Sequence, residues 1–267
     1  MQSQAIWYAL PLLWGAGLEL LLALYAWRRR ARVSGAAAFT VLLLGITIWG
    51  AGYGMELLSR SIEVGLLWAK IQWIGIATVP VAWFVFALQY CGRTQFPGPR
   101  QIILLSVPGL LAILFAWTNE YHGLMYARIG TEVSSPFTVP VLEHGIWWRL
   151  SVAYAYVLLL AGTVVLLQSM LQTPRLFRGQ AAVVLAGVAT PLVANIAFVA
   201  GAFKGLHLDL TPYAFLTTGA FIFWGLFKYG FLETVPVAYE AIVSAMRDGV
   251  MVLDGQGRIV GINPAGE

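Results

Sequence analysis

Long apolar runs alternate with short polar breaks along most of the chain, at residues 5–27, 36–58, 65–88, 101–117, 147–171, 179–200 and 212–229. Each run approaches the roughly 20 residues that a helix needs to cross about 30 Å of hydrocarbon, so the pattern predicts seven transmembrane helices. The fourth run is the shortest and contains Pro108, and Arg93-Thr-Gln-Phe-Pro-Gly-Pro-Arg100 keeps it from merging with the third. The first is too long for a cleavable signal peptide, and its positive flank lies on the wrong side for one. Connections are short except between the fourth and fifth runs. There, residues 124–129 and 137–142 read as two strands joined through 130–136, a small β-hairpin over the mouth of the bundle that either covers a ligand or plugs the fold.

Past the seventh run the pattern changes. Residues 237–247 predict a helix with Ala238, Ala241, Ile242 and Ala245 on one side, starting beside Pro236 and joined to the seventh span without a Gly/Ser linker. Residues 249–254 and 258–262 predict two short strands around Asp254-Gly-Gln-Gly257, where glycine supplies the positive φ of a tight turn. The predicted organisation is a membrane bundle over 1–232, a connecting helix over 233–247 and the start of a soluble domain over 248–267.

Composition agrees with a membrane protein: 60% of residues are hydrophobic, 10% are charged and the mean hydropathy is +0.78, whereas soluble domains carry about 25% charged residues. The net charge of +4 reflects topology. Arg28, Arg29, Arg30, Arg32, Arg93, Arg100, Arg175 and Arg178 fall in the loops after the first, third and fifth runs, and only Arg60, Arg128, Arg149 and Lys204 fall on the other side. Because positive loops stay cytoplasmic, this places the N-terminus outside and the C-terminal segment in the cytoplasm. No basic face accompanies the charge, so no nucleic-acid partner is expected. Cys91 is the single cysteine, which excludes an intrachain disulfide and a cysteine metal cluster.

Polar residues within the apolar runs are the candidate chemistry, because each is costly in hydrocarbon. Asn119 and His122 lie at the outer end of the fourth span, Asn195 in the outer half of the sixth and Asp209 at the start of the seventh. All four project to one side of the membrane, as a ligand-facing or lid-anchoring group. Asp209 also suits a simple helix cap. His122 suits a loop hydrogen bond better than a metal, since His144 and His207 lack ligand spacing with it. Glu56 and Lys70, at similar depth on adjacent helices, predict an ion pair that either lines a pocket or clasps the two helices. Glu19 has no cation at its depth, and is protonated, hydrogen-bonded or proton-sensitive. Gly50-Ala-Gly-Tyr-Gly54 predicts a close helix contact.

Several segments together carry a resemblance. They are Trp83-Phe-Val-Phe-Ala-Leu-Gln-Tyr-Cys-Gly92, Thr118-Asn-Glu-Tyr-His122, Gly145-Ile-Trp-Trp148 with Tyr154-Ala-Tyr156, Arg178-Gly-Gln180, Pro191-Leu-Val-Ala-Asn195, Leu208-Asp-Leu-Thr-Pro212 and Val235-Pro-Val-Ala238. In order and spacing the chain resembles the N-terminal seven-transmembrane sensor region of bacterial histidine kinases, and 248–265 resembles the opening strand pair of a PAS domain. The resemblance implies a small ligand, or a property of the bilayer itself, sensed in the outer half of the bundle. It also implies a place in the inner (plasma) membrane and relay through the seventh helix by way of Pro236, Tyr239 and Asp248 to a cytoplasmic kinase, or in some such proteins to a diguanylate cyclase, with a homodimer in the full-length protein and a response regulator downstream of the kinase.

The expected fold class is therefore an all-α polytopic membrane protein, a seven-helix bundle with a hairpin lid and a PAS-like start. No phospho-accepting His motif or nucleotide-binding Gly box occurs in the 267 residues, so no enzyme activity is expected in this chain. No cofactor is expected either. Retinal would need a lysine in mid-span, and Lys228 lies at the end of the seventh run. A small-molecule transporter is the alternative, although no duplicated halves are evident.

Overall fold

The structure, a computed structural model, describes residues 2–93, 97–134, 137–172, 175–201, 208–229, 246–253 and 259–266. The chain divides into two compact units, Met1–Phe231 and Leu232–Glu267.

The first unit is a helix bundle. Its elements are α1 (Gln2–Arg29), α2 (Ala36–Leu57), α3 (Ile62–Tyr90), α4 (Pro99–Trp117), the single turn α5 (Asn119–His122), strands β1 (Tyr126–Ser134) and β2 (Phe137–His144), α6 (Ile146–Gln172), α7 (Arg175–Val199) and α8 (Thr211–Tyr229). Six helices among the described residues, α1 to α4, α6 and α7, are long and apolar enough to cross a membrane. The seventh predicted run forms α8, whose 19 residues include Thr211, Pro212, Thr217, Thr218 and Lys228, and it is not one of the six.

Local chemistry sets the helix ends. Ser61 caps α3 by accepting the Val64 amide at 3.3 Å, with Glu63 in the first turn. Gly35 and Gly92, at φ 84° and 77°, turn the chain into α2 and out of α3 in a conformation that other residues resist. Pro108 lies within a continuous α4.

Packing forms a closed circuit. Helix α1 touches α2 and α8, α2 touches α3, α3 touches α6, α6 touches α7, and α7 touches α8; α4 lies across α3 and α6. The position of α3 explains its high burial, and the peripheral position of α4 its low burial. Large apolar side chains such as Trp14, Leu21, Ile103, Leu104, Val157 and Phe227 point away from the bundle, the arrangement a lipid-facing surface requires.

The closest helix approach is between α2 and α3. A side chain at Gly75 would collide with the Gly45 carbonyl and lie 2.8 Å from the Trp49 amide nitrogen, so the two backbones touch. The run at 50–54 is only partly the contact expected: a side chain at Gly52 would meet Gln72 at 2.7 Å and one at Gly54 would meet Leu13 at 3.2 Å, whereas Gly50 faces open space.

Strands β1 and β2 pair antiparallel with Ser134 opposite Phe137. They are longer than the 124–129 and 137–142 predicted, because residues read as a loop continue the ladder. The Gly145 amide donates to the Met125 carbonyl at 2.7 Å and the Trp147 amide to the Leu124 carbonyl at 3.0 Å, which ties the hairpin base to the start of α6.

In the second unit β3 (Met251–Leu253) pairs antiparallel with β4 (Ile259–Ile262). Buried Asn263 accepts the Val250 amide at 2.7 Å and donates to the Asp248 carbonyl at 2.8 Å. Residues 246 and 247 lie outside any helix, so the helix predicted over 237–247 is corrected at its end, where Asn263 bonds the chain at Asp248 and Val250 instead; 237–245 lie outside the described residues. Pro236, Tyr239 and the turn at 254–257 lie outside the described residues.

Gly75→Val is expected to lower the melting temperature of the detergent-solubilised protein by several degrees, since core overpacking typically costs about 1–3 kcal/mol. Gly50→Ala is expected to leave it unchanged or slightly raised, alanine being the better helix former. A thermal unfolding series read by tryptophan fluorescence checks both.

Candidate ligand cavity and its polar end

A cavity of ≈180 Å³ lies within the bundle, lined by α2, α3, α4, α6, α7 and α8. From Thr211 to Ile222 it follows α8 for about 16 Å at 1.5 Å per residue. Its walls are mainly apolar and aromatic, with Phe39, Trp49, Trp73, Trp83, Trp148 and Phe215 prominent. Trp49 and Phe215 meet edge to face at 5.2 Å.

Three of the helices that line it carry an internal proline on its wall, Pro80 in α3, Pro108 in α4 and Pro191 in α7. A proline inside a helix cannot donate to the carbonyl four residues earlier. For Pro191 that carbonyl belongs to Gly187, and the Thr218 hydroxyl of α8 donates to it. Near Pro108, the Tyr154 hydroxyl of α6 donates to the Leu105 carbonyl at 2.7 Å. At Pro191 a neighbouring helix thus supplies the donor that the proline cannot, as hydrocarbon requires.

Four polar residues of the cavity wall, Tyr156, Asn195, Thr211 and Asp209, converge at one end. The Tyr156 hydroxyl donates to Asn195 Oδ1 at 2.7 Å, and Asn195 Nδ2 donates to Thr211 Oγ1 at 3.2 Å. The Thr211 amide donates to Asp209 Oδ1 at 2.8 Å, and the Thr211 hydroxyl also bonds that carboxyl. The Asp209 amide donates to the Tyr53 hydroxyl at 2.8 Å. This chain of hydrogen bonds joins α6, α7, the start of α8 and α2. Asp209 precedes α8, and burial pushes its carboxyl up to about 6 against the opposing pull of the Thr211 hydroxyl and amide. The capping geometry and the place on the cavity wall coexist at this residue.

Asn119 and His122 belong to a second cluster. Asn119 is buried; its Oδ1 accepts the amides of Met125 at 3.0 Å and Tyr126 at 2.9 Å, and its Nδ2 donates to the Tyr126 carbonyl at 3.0 Å. One side-chain amide thereby serves the backbone entering β1 as a partner strand would. Trp73 Nε1 donates to the Tyr126 hydroxyl, and Met125 and Tyr126 pack with Trp73, Ala112 and Ala116. His122 Nδ1 accepts the Leu124 amide at 3.0 Å and its Nε2 lies 3.0 Å from Thr118 Oγ1, so both ring nitrogens are engaged locally. No group of three His, Cys, Asp or Glu residues among the described residues could hold a metal.

The expected pairing of Glu56 with Lys70 is corrected. Lys70 pairs with Glu120 of α5, fastening that turn to α3, and this bond holds the Glu120 carboxyl below the usual range. Glu56 accepts instead from Gln72 of α3. The pattern of apolar runs placed Lys70 near Glu56 in depth but could not show that α5 folds back within its reach. Asp248 is exposed in the second unit, with its carbonyl held by Asn263. Glu19 is buried 2% exposed against α8 beside Gly219, and its Oε1 has no hydrogen bond among the described residues. It is not part of the cavity wall.

The two clusters meet the same cavity through tryptophans. Trp73 bonds Tyr126 and lines the cavity, and Trp148 lines it while stacking on His144, at the end of β2, at 3.6 Å. Tyr53, Tyr156, Thr211, Thr218, Tyr126 and Trp73 were not singled out from the sequence. Tyr156 and Thr211 did stand inside quoted motifs, and hydroxyl residues inside apolar runs were the available signal.

A family model described as the N-terminal 7TM region of histidine kinase matches residues 11–236. The chain belongs to that family. No curated protein and no solved structure matches it. As a member of the 7TM histidine kinase sensor family it is a multi-pass membrane protein and a non-catalytic input domain. The family match contains both polar clusters and the whole cavity wall.

Asn119→Ala is expected to destabilise the protein strongly, since it leaves two buried amides and a carbonyl without partners at about 1–3 kcal/mol for each unsatisfied group. Lys70→Ala, which breaks a partly exposed ion pair, is expected to cost at most about 1 kcal/mol. Thermal unfolding of both variants in the same detergent measures the contrast.

Proposed function

We propose that this chain is the ligand-detecting input module of a histidine kinase, and that the cavity is where the signal enters. The observation that carries the reading is the cavity itself. It is lined by six helices, three of which carry a proline on its wall, and Tyr156, Asn195, Thr211 and Asp209 share a chain of hydrogen bonds at one end. An apolar or amphipathic small molecule suits that lining.

In this reading the N-terminus and the β1–β2 hairpin are outside, the hairpin lids the cavity mouth, and the loops rich in arginine face the cytoplasm of a bacterial inner membrane. A ligand that favours one arrangement of the bundle shifts its population toward that arrangement. Helix α8 is the natural carrier. Asp209 precedes its first turn and bonds Thr211 there, its middle meets the Gly187 carbonyl through Thr218, and its end leads toward Pro236 and Tyr239. The output passes through a PAS-like segment that includes Asp248 to a kinase, which works as a homodimer and phosphorylates a response regulator.

Ala155, on the cavity wall, gives a direct test. In the chain joined to a histidine kinase output region, Ala155→Trp is expected to fill the cavity and hold autophosphorylation at one level whatever is added to the membrane. An undiminished response from a normally expressed variant contradicts the cavity as the input site.

A further inference from the structure

The polar end of the cavity is built to receive a donor. Each bond in its chain passes a hydrogen in one direction, from Tyr156 to Asn195, from Asn195 to the Thr211 hydroxyl and from that hydroxyl to Asp209, which the Thr211 amide also meets. The chain therefore terminates in a carboxylate acceptor. Among the described residues no Lys, Arg or His lines the cavity. Lys70 is held by Glu120, and Glu56 adds a second carboxyl within electrostatic reach of Asp209.

Such a site discriminates by charge. An anionic head would meet acceptors and like charge, with no cation among the described wall residues to offset its loss of water, a costly placement. A cationic head would complete the chain at Asp209 as a charge-assisted hydrogen bond. Trp49, Trp73 and Trp83 line the same cavity, and aromatic walls of this kind favour a flat or aromatic body. The length of about 16 Å along α8 fits a ring carrying a short alkyl chain.

We propose that the cavity selects a small amphiphile with an apolar, preferably aromatic, body and an amine head seated at Asp209, and that it rejects the corresponding carboxylate. This rests on the reading of the cavity as the ligand site.

Three congeners with one body separate the possibilities: 4-phenylbutylamine, 4-phenylbutan-1-ol and 4-phenylbutyrate, each titrated into the chain in lipid nanodiscs at about pH 8, where Asp209 is ionised. The readout is the fluorescence of the tryptophans on the wall. The amine is expected to bind saturably and about tenfold or more tighter than the carboxylate, the size expected for one charge-assisted bond. Asp209→Asn is expected to abolish the amine's preference over the alcohol. Equal or tighter binding of the carboxylate overturns the proposal while leaving the cavity as the ligand site, as does an amine preference that survives Asp209→Asn. Saturable binding by none of the three, or binding untouched by Ala155→Trp, overturns the proposal and the underlying reading together. If Asp209→Asn does not fold, the order of the congeners on the unaltered chain still decides.

Discussion

Hydrocarbon offers no hydrogen bonds, so every polar group inside the bundle must find its partner within the protein. Much of the structure follows from that constraint. Thr40, Thr47, Thr78, Ser106, Ser151 and Thr163 return their hydroxyls to carbonyls four residues earlier in their own helices. Where Pro191 breaks the ladder of α7, the Gly187 carbonyl is met by Thr218 from another helix. A local demand of one helix thereby fixes where its neighbour sits. Asn195, Thr211 and Asp209 answer the same demand with a chain that crosses helices.

Packing and polarity divide the labour. The α2–α3 contact is set by glycine backbones at Gly45 and Gly75 and leaves little room for adjustment. Around the cavity the walls are looser in kind, with prolines in α3, α4 and α7 and side-chain bonds standing in for part of the backbone ladder. If α8 carries the signal as proposed, its bonds to α7 through Thr211 and Thr218 couple the two helices.

The apolar runs made the helices legible almost to their ends, because length and hydropathy alone decide what spans a bilayer. The spacing of Gly/Ser-rich and β-branched residues pointed to the hairpin, but its strands continue through residues whose composition reads as loop. Site residues were harder. Asn195 and Asp209 drew notice as polar residues at the edge of apolar runs, and they do share one chain of bonds. Asn119 drew notice for the same reason but serves the backbone entering β1. Lys70 was matched to Glu56 by depth, yet α5 brings Glu120 closer, and depth along a helix says nothing about which face a side chain occupies. Tyr53 and Tyr156 lay within noted segments and Thr218 within an apolar run, but their partners were not legible, because a hydroxyl's importance lies in the neighbour it meets and helix order around the bundle is not written in hydropathy.

The most direct measurement is a double-mutant cycle on the chain of bonds, read as basal autophosphorylation of the chain joined to a histidine kinase output region. If the chain from Tyr156 to Asp209 sets the resting state, Tyr156→Phe and Thr211→Val shift the output in the same direction. The double variant then does no more than the stronger single one, because both remove links of one unit. Additive effects, or output unchanged by either substitution in normally expressed protein, would contradict it.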